Sequence, residues 1–436
     1  MGIGMAANIA PLVVLQPTHQ VTSQPTSLST QISSYATTSS TNTQNSTTRT
    51  IGSQDPTSTS TPSTSISYSS SLTSNSNYGN TGTTETSSTS MSGASKQQWI
   101  EYAQTAWRFF SPGVGVSPTT GLICASPYWC SFTDWDLGGY ILAVLSAQKL
   151  GLIGANGTWG ADYRLKLVLN FLDNRPLTAN GLTYQFYDSD TGTLTPDGPT
   201  NVGNIIDEGR LLIALYDTKQ VDPALTPQVD QAVNHVNYTN FAQNSRFADG
   251  DIYARYAALG FNLWGFKTPS APNESSPAPG SFLVAEPVVS SILEGVNDTY
   301  MTAASQEIYE AQYAAYNRTG SLFAMSEGQY PPYLNSSTPY VYEGIEVPSG
   351  SSYYVQTWQG QNVNSSPEAF TKIGFAFYAI YGTTYSALLV RSLGNLTTSN
   401  GYMEGILSET GQAFDAVSDN SNIMIMEACA YAVSPI

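Results

Sequence analysis

Carboxylates open several of the chain's apolar-periodic segments. Thr133-Asp134-Trp135-Asp136, Ile206-Asp207-Glu208-Gly209-Arg210 and Ser366-Pro367-Glu368 each place an acid at or just before a first helical turn. Free N–H groups and the helix dipole favour negative charge there. Hydrolysis of a sugar chain needs one protonated and one ionised carboxyl flanking the glycosidic bond. Asp136 and Glu327 are the first candidates for that pair, and Asp207 is the third. Asp136 follows Trp135, whose face suits a sugar ring. Glu327 ends Ala324-Met325-Ser326-Glu327 on a loop beside Tyr330 and Tyr333. Substrate-binding roles are expected for Trp135, Asp134, Glu286, Tyr187, Tyr330, Tyr333 and Gln312.

Each acid also has a plainer reading. Asp136 answers Thr133 three residues earlier as a capping box would. Asp207 stands three residues before Arg210, at ion-pair spacing. Glu368 follows Ser366-Pro367, an ordinary N-cap and N1 pairing. Glu294 precedes Gly295, where an acid at a helix end opposes the dipole. Glu427 lies inside an apolar segment, where a buried acid is expected to pair with Arg or Lys. Asp249-Gly250-Asp251 and Asp188-Ser189-Asp190 offer oxygen ligands, but neither completes a calcium-loop pattern. No metal and no cofactor is expected.

Composition narrows the function. The 436 residues carry a formal charge of -17, from 32 acids against 15 Lys and Arg, with only 11% of residues charged. Scarcity of cations excludes nucleic acid as a partner. His19 and His235 are the only histidines, which excludes a multi-His metal site and a His-based nucleophile relay. A surface of Ser, Thr, Asn, Gln and Tyr stays soluble without ionised carboxylates, which suits an acidic exterior. The expected partner is carbohydrate.

Residues 1–94 are dominated by Ser, Thr, Asn and Gln and read as a disordered tether. Residues 3–15 are mildly apolar and lack a preceding basic residue, so they read as an imperfect export signal. They are too short to span a bilayer, and no integral membrane span is expected. An extracellular or cell-surface location fits Asn-x-Ser/Thr acceptors recurring from Asn45 to Asn395. It also fits Cys124 and Cys130, which flank a short loop and are expected to pair. Cys429 reads as a buried small hydrophobe.

Residues 95–436 must position the acids. Helical periodicity recurs over about ten segments, among them 99–110, 137–150, 163–172, 252–259, 302–316, 370–381, 402–410 and 422–432. Strands are expected at 182–187 and 340–347. Long loops at 176–203, 267–284 and 328–366 suggest functional segments. An all-α domain follows, either a closed ring of helical hairpins or a looser bundle.

Several motifs in order carry a resemblance. They are Trp135-Asp136-Leu137 with Leu150-Gly151-Leu152-Ile153, then Ile206 to Leu215, then Tyr256-Ala257-Ala258-Leu259-Gly260-Phe261-Asn262-Leu263-Trp264-Gly265. Ile308-Tyr309-Glu310-Ala311-Gln312-Tyr313 with Ala324-Met325-Ser326-Glu327 follows, then Glu368 to Phe377 and Asn420 to Glu427. Over roughly 96–434 these resemble an exported family catalogued as domain of unknown function 3131. That family looks like the α/α-toroid glycoside hydrolases of the glucoamylase and β-glucanase kind. The resemblance implies an α/α toroid with a sugar cleft at one end of the ring and two carboxylates doing acid/base work. The function expected is an extracellular glycoside hydrolase acting on an oligo- or polysaccharide. The alternative is a non-catalytic, glycan-binding or envelope-associated surface protein.

Overall fold

The computed structural model describes residues 93–195, 201–329, 340–357, 360–363 and 366–434. The expected tether up to residue 92, and also Tyr330, Tyr333 and Trp358, lie outside the described residues. In chain order the helices are α1 (Lys96–Trp107), α2 (Asp134–Lys149), α3 (Ala161–Asn174), α4 (Ile205–Val221), α5 (Thr226–His235), α6 (Tyr238–Ala242) and α7 (Arg246–Asp249). They continue as α8 (Ile252–Leu263), α9 (Ala285–Leu293), α10 (Thr299–Thr319), α11 (Thr371–Tyr381), α12 (Thr384–Leu393) and α13 (Asp419–Val433).

Six of these close on themselves. Helix α2 packs on α4, α4 on α8, α8 on α9, α9 on α11, α11 on α13, and α13 returns to α2. The others form an outer layer: α1 lies on α13, α3 on α2, α5 on α4, α10 on α9 and α12 on α11. Burial follows this division. Helix α2 is buried without a break from Asp134 to Ala147, and α13 from Asp419 to Ala430. A helix apolar on all sides must sit inside a layer of others. Outer helices such as α3 and α5 bury one face only.

Glycine lets the inner helices touch backbone to backbone. A Cβ on Gly209 of α4 would lie 2.4 Å from the Ala257 Cα of α8, and one on Gly260 would lie 2.0 Å from the Gly209 carbonyl oxygen. The approach of α4 to α8 therefore depends on the missing side chains.

Short strands cover the end of the ring where the inner helices begin. β1 (Ser131–Phe132) pairs with β2 (Tyr187–Asp188). β3 (Phe282–Leu283), β4 (Glu327–Gln329), β5 (Tyr340–Glu346) and β6 (Tyr353–Thr357) form one antiparallel sheet with β5 at its centre. β7 (Glu368–Phe370), β10 (Gly405–Leu407) and β11 (Ala413–Phe414) form another; β8 (Thr397–Thr398) pairs with β9 (Gly401–Tyr402). Cys124 and Cys130 are bridged, and Cys429 is free and buried. Among the described residues no helix is long and apolar enough to cross a membrane.

Three sequence expectations need correction. Residues 402–410 are strand and turn rather than helix. Gly401 has φ +119, and a Cβ on Gly405 would lie 2.3 Å from the Ala369 carbonyl oxygen, so the segment lies tight against β7. Glu368 opens no helix: it is the first residue of β7, and α11 starts at Thr371. In 182–187 only Tyr187 joins a strand. Helix α12 was not expected, although Tyr385, Leu389, Val390 and Leu393 recur at helical spacing behind a capping box of Thr383 with Ser386.

The glycine contacts make a direct test. Gly260→Ala should lose about 2 kcal/mol or more, as overpacking of a tight core does. A urea midpoint that is unchanged or raised would show that α4 and α8 do not meet this closely.

Candidate active site

Local capping places the first two acids. Thr133 caps α2 and its backbone N–H donates to Asp136 Oδ2 at 2.8 Å, while its hydroxyl lies 3.1 Å from the same oxygen. Asn204 caps α4, accepts from the N–H groups of Ile206 and Asp207, and donates from Nδ2 to Asp207 Oδ2 at 2.9 Å. Ser418 caps α13, whose first residue is Asp419. Because α2, α4 and α13 belong to one ring, their starts converge.

They converge on a cleft of about 50 Å³. Its lining includes Asp136, Asp207, Glu327, Glu404 and Asp419, with Trp135, Tyr253, Tyr340 and Tyr342 as its aromatic walls. Glu327 comes from β4, where it pairs in register with Tyr342, and it accepts the Tyr253 hydroxyl at 2.6 Å. Glu404 comes from the turn between β9 and β10 and accepts from the Ser421 hydroxyl at 2.9 Å. Among the described residues Lys372 of α11 is the only cation in the lining, and it is hydrogen-bonded to Glu286.

The structure thus brings Asp136, Asp207, Glu327 and Trp135 together at one cleft. Glu286 lies just behind it, buried, holding Lys372 and accepting from Asn420 Nδ2 at 2.6 Å. Three more expected binding residues lie outside the lining. Asp134 is consumed by Arg175 at 2.6 Å, both side chains being buried. Tyr187 is core: its hydroxyl donates to the Pro176 carbonyl at 2.9 Å and its ring packs on Phe132 and Phe171. Gln312 is buried and clamps the backbone of Met325, accepting its N–H at 2.7 Å, so it fixes the segment that leads into Glu327.

The plainer readings divide. Asp136 does form the capping box, and the same carboxyl lines the cleft. Asp207 does not pair with Arg210. That guanidinium is taken by Glu427 at 3.0 Å and Glu294 at 3.4 Å, and it lies 4.5 Å from the Trp135 ring centre. Glu427 is therefore paired, as its position suggested. Asp251 caps α8 and pairs with Arg246, and Asp188 accepts from Thr191 in a turn.

Burial without enough cations sets the protonation states. Burial raises Asp136 to about 6, opposed by the two Thr133 hydrogen bonds and the Arg210 charge. Burial and the charge of Asp136 push Asp419 well above the usual range. The charges of the two carboxyls oppose each other, so ionisation of one disfavours ionisation of the other. Burial, then the charges of Asp136 and Asp134, lift Asp207 far up. Its Oδ1 is buried with no protein partner. Burial and the Glu286 charge raise Glu327 to about 8, against Lys372 and the hydroxyls of Tyr253 and Tyr340. Asp207 feels both Asp136 and Glu327, which places it within electrostatic reach of each.

Sequence reasoning missed Glu404, Asp419, Lys372 and Tyr253 as lining groups. Ser418-Asp419 follows the same cap-then-acid pattern as Thr133-Asp134 and was open to the same argument. Glu404 was hidden by the helix expected over 402–410.

Comparison with known proteins places the chain. The family described as "Protein of unknown function (DUF3131)" matches residues 101–279 and 273–434. The chain belongs to that family. No curated protein matches it. An endo-β-1,2-glucanase from Chitinophaga pinensis, in complex with sophorotriose and glucose, has a TM-score of 0.56 at 11% identity over 79% of this chain and 94% of its own. A provisionally named glucoamylase from Bacteroides caccae has a TM-score of 0.54 at 13% identity, over 78% of this chain and 94% of its own. A mutant endo-β-1,2-glucanase from Talaromyces funiculosus, in complex with β-1,2-glucan, has a TM-score of 0.50 at 10% identity, over 78% of this chain and 87% of its own. At these identities what is shared is the fold.

The buried carboxyls make stability depend on pH with a definite sign. Their folded-state values lie above the ordinary ones, so folding takes up protons. The resulting stabilisation is complete below about pH 4. It is lost as pH rises through the folded values, which reach about 7 for Glu294 and about 8 for Glu327 and Glu427. The melting temperature should fall by at least about 5 °C between pH 4.5 and 8.5. A melting temperature that rises over this interval would contradict the assigned protonation states.

Proposed function

We propose that this member of the DUF3131 family is an exported α/α-toroid glycoside hydrolase that cuts an oligo- or polysaccharide with two carboxyl groups. The observation that carries the reading is that Asp136 and Glu327, each held by its own donors, line one cleft with Trp135 as an aromatic wall. Glu327 keeps its proton up to about 8, and Asp136 loses its own near 6. Between those values one acid and one base face the same space, as glycoside hydrolysis requires.

In this reading Glu327 gives its proton to the glycosidic oxygen as the bond from that oxygen to the anomeric carbon breaks. Asp136 takes a proton from the attacking water, whose oxygen bonds the anomeric carbon. Asp419, whose proton burial and the Asp136 charge retain, leaves the negative charge on the base. Thr133 holds that base in place through its N–H and hydroxyl. Asp207, which burial keeps protonated, lines the same cleft. Trp135 supplies an aromatic wall, kept flat against Arg210. The Ser/Thr-rich residues 1–94 act as the tether outside the cell, where the Cys124–Cys130 bridge is stable. Endo-β-1,2-glucanases among the structural neighbours make β-1,2-glucan the first substrate to try.

Release of reducing ends tests the reading. Asp136→Asn and Glu327→Gln should each lower kcat about 10²–10⁴-fold with no loss of melting temperature. The wild-type rate should rise through about pH 6 and fall through about pH 8. Undiminished turnover in either variant would remove that residue from the mechanism. A wild-type chain that binds glycans but releases no product would favour the non-catalytic alternative.

A further inference from the structure

We propose that the loop closed by the Cys124–Cys130 disulfide is an outer sugar-binding subsite, with Tyr128 and Trp129 as its stacking platform. This rests on the hydrolase reading of the cleft. Tyr128 is 81% exposed, the most exposed of the large hydrophobic side chains among the described residues. A single exposed aromatic is ordinary. This one sits on a loop that is held at every side.

The disulfide joins its two ends. Within it Trp129 N–H donates to the Ser126 carbonyl at 3.2 Å, and Tyr128 N–H donates to the Ser126 hydroxyl at 3.3 Å. Trp129 packs edge-on against Phe186 at 5.7 Å, which orients the indole. A rigid aromatic costs little entropy when a ring settles on it.

The loop is continuous with the cleft. Ala125 is part of the lining, and its carbonyl accepts the Asp419 N–H at 3.0 Å. Its N–H donates to the Ser131 carbonyl at 3.0 Å, and β1 then leads directly to Thr133, the cap that holds Asp136. Tyr128 is three residues from Ala125, so its Cα stands at most ~11 Å from that of a lining residue. That is the reach of about two sugar units. Residues 124–130 carry no charge. An uncharged aromatic platform suits the apolar face of a pyranose and offers nothing to an ionic partner. The occupant is an outlying sugar of the same chain whose bond is cut in the cleft.

The full chain with Tyr128→Ala, Trp129→Ala and the conservative Tyr128→Phe provides the test. Each alanine variant should raise KM for a polysaccharide about fivefold to tenfold, in line with loss of one stacking contact. The rate on the shortest oligosaccharide that is cleaved should stay at the wild-type value, and Tyr128→Phe should behave as wild type throughout. Equal effects on long and short substrates, or none on either, would overturn the subsite and leave the hydrolase reading standing. If wild-type protein releases no reducing ends, that reading falls, and retardation in polysaccharide-containing gels decides the subsite. Retardation lost on Tyr128→Ala supports it; unchanged retardation, or none in the wild type, overturns it.

Discussion

Five carboxyl groups line one cleft, and the single lysine among the described lining residues is already bound to Glu286. That shortage of cations governs the site. A buried carboxylate without a cation must either be protonated or be held by several donors. The donors are unevenly given. Asp136 receives the N–H and hydroxyl of Thr133, Glu327 receives the hydroxyl of Tyr253, and one oxygen of Asp207 receives nothing. Unequal donors produce unequal proton affinities, and unequal affinities are what separate an acid from a base. The same shortage is visible in the whole chain, with 15 cationic residues against 32 acids.

The ring makes this crowding possible, and its interior holds the platform in place. Arg210 lies fully buried between α4 and its neighbours, bound to Glu294 and Glu427. Its guanidinium supports Trp135. Asn420 then ties several parts together. Its Oδ1 accepts from Trp135 Nε1 at 3.4 Å, and its Nδ2 donates to Glu286 at 2.6 Å. Trp135 is thus fixed by a cation below it and an amide beside it. Residues from α2, α4, α9, α11 and α13 all meet in this network, so the core that closes the ring also shapes the cleft.

What could be read from the sequence was local. A cap residue followed by an acid is set within four positions, so Asp136 and Asp207 were expected at helix starts, which is where they lie. Asp134 has the same local signal, yet Arg175, far along the chain, captures it. Tyr187 looked like a cleft aromatic because it falls in a long loop, but that loop folds its ring into the core. Arg210 was expected beside Asp207 from their spacing, and the partners it takes instead come from α9 and α13. Glu404 and the three-residue strands around it carried no periodic signal because they are too short to show alternation. In each of these misses the deciding contact is remote in sequence.

The most direct measurement is the titration of carboxyl carbons in the full chain labelled with ¹³C at Asp and Glu. The account predicts a set of signals that titrate well above the ordinary aspartate value of ~3.9, one of which disappears in Asp207→Asn. If every carboxyl carbon titrates between ~3 and ~5, the acids are not buried together around one cleft, and the account is wrong.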